Sequence, residues 1–119
     1  MKKLLVTIVL GLIALVSNAQ SIKKVTLEQT KGEFTVKELK LSEGKYIFEV
    51  HNNGVDHAVG LVVAPKGKTD EGHHIKEAYV KSTPNDGESS ETNIITLKKG
   101  KYVYFCPLNP TEEYTLTVE

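Results

Sequence analysis

One cysteine, four histidines and fifteen carboxylates are the side chains here that could ligate a metal, move a proton or attack a substrate. Cys106 has no second cysteine to pair with, so an internal disulfide is impossible. Three fates remain open to it: a buried inert thiol, a bond to another molecule, or a metal-bound thiolate. His57 follows the turn-forming run Asn52-Asn53-Gly54 and precedes an apolar stretch, which sets it at the edge of a strand. A thiolate and an imidazole brought from two strand ends are the soft and borderline donors that copper and zinc accept.

The other candidates point less directly to chemistry. His73 and His74 are adjacent, and neighbouring residues on a helix point about 100° apart and do not converge on one ion. His51 falls on the face opposite Val50 and is expected to be exposed. The sole methionine is Met1, so no thioether from the body of the chain can assist Cys106. A Cys106 nucleophile would need a base beside it; His57 could serve, but no orienting acid or oxyanion donor is identifiable, and a non-enzymatic role is expected.

The elements that must position these residues begin after residue 19. Lys2 and Lys3, an apolar run over 4–16 and the small residues Ser17 and Ala19 form a secretory signal with cleavage ahead of Gln20. The apolar run is shorter than the roughly 20 residues of a bilayer span, and no stable membrane insertion is expected after cleavage. The mature chain is then one domain over 20–119, periplasmic or secreted, with 13 Lys against 15 acidic residues. That balance excludes a strongly basic nucleic-acid binder. The lysines are scattered along the sequence and read as ordinary solvated surface.

Strand signals dominate this region. Val25 to Leu27 is β-favouring, residues 34–41 mix apolar and polar side chains at roughly alternate positions, and Tyr46, Phe48 and Val50 share one face. Residues 57–64 form a continuous apolar run closed by Pro65, the pattern of a strand covered on both faces and central to the packing. Ile75, Ala78 and Tyr79 recur at helical spacing and predict a short helix over 73–81. Residues 94–97, 101–106 and 114–118 are further strands. The stretches 41–50 and 97–106 share Leu, Gly, Lys and Tyr at matching places, so they are expected to be equivalent strands with a tyrosine that buries its ring and bonds through its hydroxyl. The fold class is all-β, a Greek-key sandwich with one short helix.

The segments Gly44-Lys-Tyr-Ile-Phe-Glu-Val-His-Asn-Asn-Gly-Val-Asp-His-Ala-Val59 and Gly100-Lys-Tyr-Val-Tyr-Phe-Cys-Pro-Leu-Asn-Pro-Thr-Glu-Glu-Tyr-Thr-Leu-Thr-Val118 resemble the two copper-loop regions of the cupredoxins. The resemblance covers most of the mature chain. It implies a first-histidine role for His57 and the thiolate role for Cys106. In the short-loop, amicyanin-like spacing the second histidine and the axial methionine would stand at Asn109 and Glu112, so the scaffold is kept and the ligand set altered. An amide oxygen is a poor substitute for imidazole toward copper, while Glu112 would bring a harder carboxylate; an N, S, O set would also take zinc. The expectation is one copper ion at an atypical site in a monomer that serves electron transfer or copper carriage with a redox partner or a copper donor or acceptor. The alternative is a metal-free cupredoxin-like binding or structural module whose copper site has decayed.

Overall fold

A computed structural model describes residues 21–119; the signal assigned to 1–19 lies outside the described residues. Nine strands form two facing sheets: β1 (Ile22–Thr30), β2 (Glu33–Phe34), β3 (Glu38–Leu41), β4 (Gly44–Asn52), β5 (Val62–Pro65), β6 (Ser89–Glu91), β7 (Ile95–Leu97), β8 (Gly100–Phe105) and β9 (Tyr114–Val118). The first sheet runs β2-β1-β4-β6, with β7 also paired to β4; the second runs β3-β9-β8-β5. The expected all-β sandwich is the observed one.

Alternation explains how the sheets face each other. Tyr46, Phe48, Val50 and Asn52 of β4 are buried while the residues between them are half-exposed. From the second sheet, Tyr104, Leu116 and Val118 meet them in one core with Leu27, Phe34 and Leu97. Each fully buried side chain of this size contributes about 2 kcal/mol. Phe34 sits edge-on to Tyr104 and Tyr114, with ring centroids 5.2 and 5.9 Å away.

Three elements differ from the sequence reading. Residues 34–41 are not one strand: the chain leaves the first sheet after Phe34 and joins the second at Glu38, where β3 lies parallel to β9. Within 57–64 only Val62 onward is strand, and β5 is an edge of its sheet rather than a central strand. Ladder pairing is pre-empted there: Val59 N–H goes to Pro84 O, Gly60 N–H to Cys106 Sγ, and the His57 and Gly60 carbonyls accept the Asn52 and Gln29 side chains. The helix expected over 73–81 is two single 3-10 turns, Glu71–His73 and Lys76–Ala78, separated by extended backbone. So short a helix is marginal by itself, and Ile75 N–H instead bonds Val63 O on the free edge of β5.

The matched stretches do become equivalent strands. Tyr46 donates to Ser42 O at 2.7 Å and Tyr102 to Lys98 O at 2.8 Å, each reaching back four residues. Glu43 accepts the Lys99 N–H, so the two turns that lead into β4 and β8 sit side by side. This is the tyrosine end of the sandwich. Both strands finish at the opposite pole, the cysteine end.

Candidate functional site

Cys106 follows the last residue of β8 and its thiol is buried. Two backbone amides aim at the sulfur: Gly60 N–H and Asn109 N–H, each 3.2 Å from Sγ. The first belongs to the segment after His57 and the second to the loop after Cys106, so Sγ staples the loop of one strand to the approach of another. Thr111 closes the loop, accepting the Cys106 N–H at 3.0 Å through Oγ1.

Asn109 is 97% shielded from solvent and fully committed. Its Oδ1 accepts the Gly32 N–H at 2.7 Å; its Nδ2 donates to Gln29 Oε1 at 3.1 Å and to Thr30 O at 2.9 Å. Gly32 occupies the left-handed region at φ 79°, which presents its amide to Asn109 at the turn between β1 and β2. Gln29, wholly buried, completes the circuit by donating from Nε2 to Gly60 O at 2.6 Å. Gln29, Gly60, Cys106 and Asn109 therefore form a closed ring of hydrogen bonds, in which Asn109 Nδ2 donates twice and Gln29 Nε2 once. Such a network is worth most when complete, because an orphaned polar group in the interior carries its full desolvation cost.

The sequence candidates are brought together only in part. His57 lies at the cysteine end, tied down by Asn52 Nδ2 donating to its carbonyl at 2.9 Å. Its ring is exposed, with Nδ1 3.0 Å from Ala58 O. Glu112 is exposed beside Glu113. His73 and His74 diverge as their adjacency implies: His73 Nδ1 meets Asp70 Oδ1 at 2.8 Å, while His74 bonds the Tyr79 hydroxyl and Thr69 O. The His73 ring beside Asp70 holds that carboxyl below the usual carboxylate range. His51, half-exposed, bonds Ser89 Oγ.

A blue-copper centre needs two imidazoles and a thiolate in a trigonal set. These residues do not fit it. Asn109 directs its side chain to β1 and the turn behind it, and the imidazole of His57 faces solvent. Among the described residues no three His, Cys, Asp or Glu side chains gather as a metal site.

Sequence reasoning missed Gln29, Asn52, Gly60 and Thr111. A signal existed for Gln29: it continues the inward phase of Val25 and Leu27, and a glutamine on an inward face demands partners. Beside the ring, Leu61, Val80, Pro107 and Leu108 border an open apolar cleft of ≈ 360 Å³, with Leu108 half-exposed on its rim.

No protein-family model and no curated protein matches the sequence. Solved structures do match in fold. Auracyanin A, a "blue" copper protein from the green thermophilic photosynthetic bacterium Chloroflexus aurantiacus, aligns with a TM-score of 0.66 and 17% identity over 83% of this chain and 100% of its own. Reduced auracyanin from the photosynthetic bacterium Roseiflexus castenholzii aligns at 0.63 and 14% identity, over 81% and 96% of the two chains. A reduced Cu(I) amicyanin variant aligns at 0.52 and 14% identity, over 80% and 81%. The sandwich is a cupredoxin fold.

Proposed function

We propose that this chain is an exported cupredoxin-fold module that works without copper, as a binding or structural domain whose former metal pole has become a hydrogen-bonded plug. The observation that carries this reading is Asn109: at the position where the family resemblance calls for a second imidazole, its amide is spent on Gly32, Gln29 and Thr30. Releasing it to reach a metal would orphan a buried glutamine oxygen, at about 1–3 kcal/mol, and take its bond from the Gly32 amide. An enzymatic role draws no support from Cys106, whose polar neighbours are backbone amides rather than a base.

A second reading keeps copper or zinc on Cys106 and His57, with Glu112 as a further donor. Two amides directed at one sulfur, one of them three residues beyond His57, favour it. It requires the His57 ring to leave Ala58 O and turn inward.

Titration of the purified protein with Cu(II) and Zn(II) separates the two. On the first reading one equivalent of either metal leaves the melting temperature unchanged, because a ligand that does not bind the native state cannot stabilise it. No intense thiolate-to-copper absorption develops. A coloured one-to-one complex that vanishes in Cys106→Ser, with a raised melting temperature, overturns the first reading in favour of the second.

A further inference from the structure

The lysines that look scattered in the sequence are gathered by the fold. Lys45 starts β4, Lys98 and Lys99 form the turn before β8, Lys101 is in its first pairs, and Lys66 and Lys68 follow β5, where Lys66 N–H bonds Lys101 O. Lys40 flanks Thr117 from the other side, opposite Lys101. All belong to the tyrosine end, and among the described residues none of them is in a salt bridge. Acids near them in the chain are Glu43, turned to the Lys99 amide, Glu119, and Asp70, which is paired with His73. The cysteine end has the opposite sign: Asp56, Asp86, Glu88, Glu112 and Glu113 are exposed there, with Lys31 among them. A molecule with a small net charge therefore carries a strong charge separation along its strands.

Two shallow clefts open within the lysine end. One, of ≈ 280 Å³, lies between Lys45 and Lys98 beside Gly44 and Thr96; the other, of ≈ 360 Å³, lies between Lys99 and Lys101 beside Thr117. Ile22, paired with Lys45 at the start of β1, adds an apolar side chain 46% exposed at this end.

We propose that the tyrosine end is a docking surface for an anionic phospholipid bilayer, with Lys45, Lys66, Lys68, Lys98, Lys99 and Lys101 facing the headgroups and the acidic cysteine end held outward. Each lysine within a Debye length of an anionic surface adds to the attraction, and the acids at the far pole orient the molecule by repulsion. The site is separate from the cysteine end, so its test does not depend on whether metal binds there.

The test is co-sedimentation of the protein, as recovered from expressing cells, with vesicles of phosphatidylglycerol and phosphatidylcholine or of phosphatidylcholine alone. Binding is expected to the anionic vesicles only, to fall steeply between 20 and 200 mM salt, and to weaken about a hundredfold in the combined variant Lys98→Gln, Lys99→Gln, Lys101→Gln. The matched variant Glu112→Gln, Glu113→Gln should bind at least as well as wild type. Unchanged melting temperatures establish that both variants are folded. Equal binding to both vesicle types, no loss in the lysine variant, or retention on a soluble polyanion without vesicle binding overturns the proposal. So does concentration-dependent self-association that the lysine variant abolishes, which would assign this end to the acidic end of a second copy.

Discussion

At the tyrosine end, the hydroxyls of Tyr46 and Tyr102 each close a bond to a carbonyl four residues earlier. At the cysteine end, the bonds of the polar ring join Gln29 to Gly60, Gly60 to Cys106 and Asn109 back to β1, spanning 31, 46 and as many as 80 residues. The first kind forms as soon as a local turn forms. The second exists only once both sheets are in place, since the entropy of closing those loops must be met by the rest of the fold. The tyrosine end can therefore vary with modest consequence, whereas the cysteine end is all-or-none: removing one member leaves several buried groups unpaired.

Substitutions at the two ends should differ accordingly. Asn109→Ala removes three side-chain bonds at once and is expected to cost about 3 kcal/mol or more, read as a lowered urea midpoint at constant slope. A loss under about 1 kcal/mol would mean that the ring is not a unit. Cys106→Ala strands the Gly60 and Asn109 amides and should cost about 2 kcal/mol, while Cys106→Ser keeps an acceptor and should recover part of that loss. If Ser proves no better than Ala, the sulfur matters by packing and not by its bonds. Tyr46→Phe should cost about 1 kcal/mol and Tyr102→Phe, at a more exposed position, less. Their effects should add, which a double variant tests.

A pH scan probes the cysteine half from another side. Tyr104 donates to Val36 O from within the core, and burial pushes its phenol up to about 12. The folded state thus holds this proton more tightly than the unfolded chain does. The stabilisation is whole below pH 10 and is lost as pH rises from 10 toward 12, and Tyr104→Phe should flatten that fall. His57→Ala marks the small end of the scale. With an exposed ring bonded only to its neighbour's carbonyl, it should change stability by less than about 0.5 kcal/mol in metal-free buffer.

Much of the architecture was legible. Alternation placed β4 and β9, glycine turns placed the starts of β4 and β8, and the matched 41–50 and 97–106 stretches announced two tyrosines with bonded hydroxyls. The split of residues 34–41 between sheets was not legible, because alternation runs through both pieces and only the packing of Phe34 against Tyr104 and Tyr114 ends the first. The helix over 73–81 failed for a similar reason, its apolar spacing being overridden by one bond from Ile75 to an open strand edge. Cys106 and the His57 backbone lie at one pole, and the partners that define that pole, Gln29 and Gly60, carry no sequence motif.

What the sequence by itself determined is everything that depends on neighbours a few residues apart: strand periodicity, turns and the two tyrosine bonds. Only the tertiary structure decided that Asn109 belongs to β1, that the sulfur is met by two amides, and that lysines distant along the chain share one end. Side-chain direction and electrostatic summation depend on which strands lie side by side, and strand adjacency is set by burial of the whole core rather than by any local run of residues.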